Sequence, residues 1–192
     1  MSDHASELFA NLHFVFGGAR SGKSHYSEEL VKSAGERVLY VATAQAADDE
    51  MRRRIEAHQA RRPSNWDTLE AYSRTFDKLR QRLSNDGPYQ GVIIDCVSVW
   101  ASNIVITLPE IASEEYAYSV LSPELDKLFA IIRENPKTTF VLVSNEVGLG
   151  IIPAYPLGRL YRDTLGRINQ RIVRHAATAC FMLAGVPLRI KG

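Results

Sequence analysis

Eight consecutive residues constrain this chain more than any other feature: Gly17-Gly18-Ala19-Arg20-Ser21-Gly22-Lys23-Ser24. They satisfy the pattern G-x-x-x-x-G-K-[ST] at every fixed position, with an apolar run at 13–16 before them and a helix-forming stretch at 24–32 after them. Such a loop works at a strand-to-helix junction. Its glycines let the backbone curl until N–H groups point at phosphate oxygens, and the helix N-terminus adds partial positive charge. Lys23 can then reach the β- and γ-phosphates, and the Ser24 hydroxyl can hold Mg²⁺. Arg20 faces either phosphate or solvent. A Gly/Ser-rich turn with a chance lysine is the alternative, and the order strand, loop, helix counts against it.

The rest of the chain supplies the sheet that such a loop needs. Short apolar runs at 37–43, 91–95, 138–144, 179–184 and 188–191 read as further strands, the last two joined by a turn at Gly185 and Pro187. Helical patterns fall at 48–62, 76–83, 98–106, 123–134 and 157–176. The first of these opens on acids, where the dipole favours them, and stops before Pro63. Residues 1–10 read as a weakly helical extension, and 107–116 fit neither pattern. Continuous apolar strands alternating with helices predict an α/β fold, a mostly parallel sheet covered by helices on both faces. At 192 residues this is one domain, with 1–11 as an N-terminal extension and 12–192 as the nucleotide-binding unit.

Charge and composition remove several classes of function. Lys plus Arg is 23 and Asp plus Glu is 22, a net charge of +1, which does not suit a general nucleic-acid or membrane-surface binder. Cys96 and Cys180 lack metal-ligand spacing and sit in apolar stretches, as buried small residues do. No apolar run approaches the ~20 residues of a membrane span. The start of the chain, with Asp3, His4 and Glu7, lacks the basic opening of a secretory signal, so the expected compartment is the cytoplasm.

A phosphate loop normally works with a carboxylate at the end of another strand. Asp95, after Val92-Ile93-Ile94, is the first candidate for positioning Mg²⁺, and Glu146 is its rival. A second cluster lies in the 48–62 helix, where Met51, Ile55, His58 and Arg62 are three and four residues apart and so share a face. His58 thus stands near Arg52, Arg53, Arg54, Arg61 and Arg62. It is either a partly buried structural histidine or a nucleophile, since a neutral imidazole can attack phosphorus while arginines stabilise the phosphate charge. Of the other histidines, His25 reads as a surface position, His175 as the end of a helix, and His4 and His13 have no polar company.

Taken together, these segments resemble the bifunctional adenosylcobinamide kinase / adenosylcobinamide-phosphate guanylyltransferase family of cobalamin biosynthesis. The resemblance rests on the phosphate loop, residues 40–45, residues 48–51 with Arg54-Ile55 and His58, and Arg62-Pro63 with Trp66 and Glu70. It continues through 144–153 and through Arg162-Asp163, Gly166, Asn169 and Gln170, covering about 12–192. It implies a RecA-like α/β sheet, a trimer, and two reactions. A nucleoside triphosphate, ATP or GTP with Mg²⁺, phosphorylates the aminopropanol hydroxyl of adenosylcobinamide. GTP then places GMP on His58 with loss of pyrophosphate, and GMP passes to adenosylcobinamide phosphate to give adenosylcobinamide-GDP. The implied nucleotide contacts are the phosphate loop, Ala42, Thr43, Ala44, Gln59, Ala60, Arg61, Arg62, Glu70 and Asp95. Ser144 stands where many members carry threonine, and 104–122 match poorly. Arg162, Asp163, Asn169 and Gln170 form either a charged helix face or a subunit contact. A plain P-loop small-molecule kinase and a nucleotide-dependent switch are the competing readings.

Overall fold

The computed structural model describes residues 7–45 and 49–192. Of Glu50, Met51, Arg54, His58 and Arg61 it describes the backbone alone. Seven strands are present: β1 (Phe9–Gly17), β2 (Val38–Ala42), β3 (Asp67–Glu70), β4 (Gly91–Asp95), β5 (Thr139–Asn145), β6 (Ala176–Leu183) and β7 (Val186–Lys191). The helices are α1 (Lys23–Lys32), α2 (Asp49–Arg61), α3 (Thr75–Asp86), α4 (Val97–Val105), α5 (Glu114–Glu134) and α6 (Pro156–His175). The strands form one sheet in the order β3-β2-β4-β5-β1-β6-β7, in which every pairing is parallel except β6 with β7. The α/β fold expected from the alternation of strands and helices is the fold observed.

Strand alternation divides the core in two. Phe14, Leu39, Val41, Val92, Ile94, Phe140 and Leu142 point to the face covered by α3, α4, α5 and α6. Val15, Tyr40, Ile93, Val141 and Val143 point to the other face, where Val31 of α1 and Trp66 close over them. The central strands are therefore apolar on both sides, which is why they read as continuous runs. Gly91 shows how closely α1 approaches: a Cβ there would lie 2.4 Å from Cγ2 of the buried Val31.

Several expectations need correcting. β1 begins at Phe9, so Phe9 to Asn11 belong to the sheet and not to a helical extension. The Phe9 ring packs on Phe129 and stacks on His175, and that burial outweighs local helix character. His13 does have polar company, its Nδ1 lying 2.8 Å from Thr178 Oγ1 on β6. His175 likewise bonds to the Glu7 carbonyl at 2.6 Å. Helix α5 starts nine residues before the expected Pro123 and runs straight through it. Ser113 caps it by accepting from Tyr116 N–H at 3.2 Å, and Glu114 and Glu115 suit its first turn. Pro123 faces solvent, while the apolar stripe continues unbroken through Ala117, Leu121, Leu125 and Leu128, all fully buried. Burying that stripe outweighs the roughly 3 kcal/mol an interior proline costs. Pro187 lies in edge strand β7; the turn itself is Ala184-Gly185, with φ +50° and +85°, as a two-residue hairpin requires. Strand β3 has no apolar run; it forms because β2 offers it a free edge and because Tyr89 donates to Asp67 Oδ2 at 2.6 Å.

Gly91→Ala is expected to destabilise the protein by about 1–3 kcal/mol, because the stiff Val31 side chain cannot yield. A lowered urea midpoint with an unchanged m-value is the measurement that checks this.

Candidate active site

β1, β2, β4 and β5 run in one direction, so Gly17, Ala42, Asp95 and Asn145 end at one edge of the sheet. In open α/β sheets, ligands bind in the crevice beyond that edge. Here the crevice is a cavity of about 600 Å³. Ala19, Arg20, Ser21 and Gly22 line it from the loop after β1, and Lys23 and Ser24 from the first turn of α1. Ala42 lines it from the end of β2 and Ala44 from just beyond, Asp95 from the end of β4 and Cys96 next to it, Asn145 from β5, and Ile55 and Arg62 from α2 and the residue after it.

The loop is held from below by the β6–β7 hairpin. Gly17 has φ +154°, and a Cβ there would sit 2.4 Å from the Met182 carbonyl oxygen. Gly185 N–H donates to the Ser21 carbonyl at 3.0 Å. Gly22, at φ +93°, turns the chain into α1. Lys23 is the first residue of that helix, and its Nζ donates back to the Gly18 carbonyl at 2.5 Å. Burial pushes the ammonium below its usual range, while Cys96 and Asp95 pull it back up.

Across the cavity, Asp95 Oδ2 accepts from the Tyr40 hydroxyl at 2.6 Å. The Arg62 guanidinium lies 3.5 Å above the Tyr40 ring. Thr43 clasps β2 to β4: its hydroxyl accepts from Cys96 N–H and donates to the Cys96 carbonyl, both at 2.8 Å. Asn145 is held by buried polar groups. Its Nδ2 donates to Ser98 Oγ at 2.8 Å, and its carbonyl accepts from Asn169 Nδ2 at 3.0 Å. Asn169 in turn accepts from Ser144 Oγ at 2.8 Å. The Cys96 thiol lies 3.0 Å from Ser98 Oγ, and burial, with the Asp95 charge beside it, pushes it up to about 11.

The donor set fits Mg²⁺. Ser24 and Asp95 offer hard oxygens to one cavity, and no group of three or more His, Cys, Asp or Glu that could cage a metal occurs among the described residues. Mg²⁺ is typically held by one or two carboxylates together with substrate phosphates and water, not by an all-protein cage.

The structure thus brings together Ala19 to Ser24, Ala42, Ala44, Arg62 and Asp95. Gly17 and Gly18 shape the loop without lining the cavity, and Thr43 is buried behind it. Gln59 and Ala60 are exposed on α2, and Glu70 is exposed at the end of β3, paired with Ala42. Glu146 turns away: its carboxylate accepts from Gly148 N–H at 2.6 Å, leaving the cavity to Asp95. His58 lies within α2 between Ile55 and Arg62, and its side chain, like that of Arg61, lies outside the described residues. Exposed His25 lines the cavity too. Tyr40 and Asn145 are the site residues that residue-by-residue reading missed. Tyr40 is embedded in an apolar run and reads as core, and only its phenol tip, bonded to Asp95, gives it a further meaning.

A phosphate cradle between strand and helix, facing a strand-end carboxylate across one crevice, defines a P-loop nucleotide-binding enzyme of the α/β class. Residues 13–190 match the family model for cobinamide kinase / cobinamide phosphate guanyltransferase, and the chain belongs to that family. It is 37% identical over 178 residues to the bifunctional adenosylcobalamin biosynthesis protein CobP of Pseudomonas aeruginosa, covering 93% of this chain and 96% of that protein. It is 36% identical over 182 residues to the bifunctional adenosylcobalamin biosynthesis protein CobU of Salmonella typhimurium, covering 92% and 98%. The Escherichia coli protein of the same name is 34% identical over 182 residues, with the same coverage.

Cys96 is expected to resist a thiol reagent at pH 7.5 in the native protein and to react faster as pH rises toward 11. Mass spectrometry after timed alkylation checks this; full labelling of Cys96 within the time a free thiol needs would contradict the shielding.

Proposed function

We propose that this chain performs both reactions named for its family on adenosylcobinamide, using ATP or GTP for the first and GTP for the second. The observation that carries the reading is one cavity lined by the phosphate loop, by Asp95, and by Ile55 and Arg62, which flank His58 along the chain.

In the kinase step the loop N–H groups and Lys23 hold the triphosphate. The acceptor hydroxyl oxygen bonds to the γ-phosphorus, the bond to the β-phosphate oxygen breaks, and the nucleoside diphosphate leaves as the hydroxyl proton passes to solvent. Mg²⁺ bound by Ser24 and Asp95 would neutralise charge on the phosphoryl oxygens. In the transferase step the His58 imidazole bonds to the α-phosphorus of GTP and pyrophosphate leaves. A phosphate oxygen of adenosylcobinamide phosphate then displaces the imidazole, which is a good leaving group from phosphorus. Ala42, Thr43, Ala44, Gln59, Ala60, Arg61, Arg62 and Glu70 complete the nucleotide contacts. Thr43 acts there through its clasp on Cys96.

The same reading places the enzyme in the cytoplasm as a homotrimer. No helix among the described residues is long and apolar enough to cross a membrane. Exposed Leu183, Val186 and Leu188 on the β6–β7 hairpin give subunits an apolar surface to share, and edge strand β7 is open to pairing.

The test is to incubate the protein with Mg²⁺ and GTP labelled at the α-phosphate, then denature it. Label is expected to stay bound, stable to base and labile to acid. It is expected to be absent with γ-labelled GTP and in His58→Ala. Lys23→Ala is expected to slow both reactions by about 100-fold or more. Binding of GTP without any retained label would leave a plain kinase, which phosphorylation of adenosylcobinamide would then identify.

A further inference from the structure

Tyr40 lines the cavity although the residue is only 2% exposed, and its hydroxyl is spent on one carboxylate oxygen. In the sheet register Tyr40 stands opposite Ile93, and Asp95 stands opposite Ala42. The phenol must therefore span two residues, about 6.6 Å along the strand, to reach Asp95. Arg62 covers the ring at 3.5 Å, and Tyr40 belongs to the same buried cluster as Trp66 and Val38. Oδ2 of Asp95 is thus occupied by the Tyr40 hydroxyl. No described residue donates to Oδ1.

We propose that Tyr40 is a positioning residue that aims Asp95: by holding Oδ2 it makes the carboxylate a one-oxygen ligand with Oδ1 turned to the divalent cation of the bound nucleotide. The inference rests on the reading of Asp95 as the cation-side carboxylate. Mg²⁺ demands near-ideal octahedral geometry, so a carboxylate free to rotate would bind it less well. Removing a partner that orients a metal ligand typically costs 10–100-fold in metal affinity.

Tyr40→Phe tests this with one atom removed; the ring, its packing and the Arg62 stack stay. The readout is binding: the affinity of a non-hydrolysable GTP analogue, measured by calorimetry with Mg²⁺ and with EDTA. The ratio of the two affinities is the cation coupling. Tyr40→Phe is expected to keep the affinity in EDTA and to lose about tenfold or more of the coupling. Asp95→Asn is expected to lose the coupling as well, and the double variant to lose no more than Asp95→Asn alone, because Tyr40 acts through Asp95. Equal losses of affinity with and without Mg²⁺ in Tyr40→Phe would mean a structural role only and would overturn the proposal. So would full coupling in Tyr40→Phe beside lost coupling in Asp95→Asn. Full coupling in Asp95→Asn would instead remove the reading of Asp95 on which the proposal stands.

Discussion

Gly17, Ala42, Asp95 and Asn145 meet because the strands that carry them are paired in parallel, and parallel pairing makes every carboxyl end point the same way. β1 sits between β5 and β6, so the phosphate loop emerges well inside the sheet. β5 separates it from β4 and Asp95, which leaves a gap one strand wide between the lysine side and the carboxylate side of the cavity. Once that pairing is set, little side-chain movement is needed to build the site. The hairpin of β6 and β7 then supports the loop from beneath, through Met182 and Gly185.

Four buried polar side chains behind the cavity are each hydrogen-bonded. Thr43, Ser98, Ser144 and Asn169 are all buried, and each is bonded to the backbone or side chain of an element that ends at the cavity. Buried polar groups that are fully satisfied rigidify their surroundings, whereas unsatisfied ones cost stability. The consequence is a stiff rear wall of β-strand ends facing a front wall of α2, where Ile55 and, just after the helix, Arg62 line the cavity. Asn169, which reads from the sequence as part of a charged helix face or a subunit contact, belongs to that rear wall.

Much of this is legible in the sequence. The phosphate loop, the apolar strand cores and Asp95 are local signals, because each depends on a few neighbouring residues with one physical requirement. The start of β1 at Phe9 was not, since its strand state comes from rings contributed by α5 and α6. Nor was the run of α5 through Pro123, which depends on the neighbouring elements that bury Ala117 and Leu121. Strand β3 has almost no sequence signal of its own; it forms as the partner of an existing edge.

The sequence by itself determined that this chain binds a nucleotide phosphate at a strand-to-helix turn, and its blocks around His58 and Asn145 carried the family. Those properties need only residues close together in the chain. Tertiary structure decided which carboxylate lines the cavity, Asp95 and not Glu146, and which core tyrosine bonds to it. Both depend on strand register and side-chain direction, which bring residues 55 positions apart to within 2.6 Å. No local pattern records such a distance, because it is set by the packing of the whole sheet.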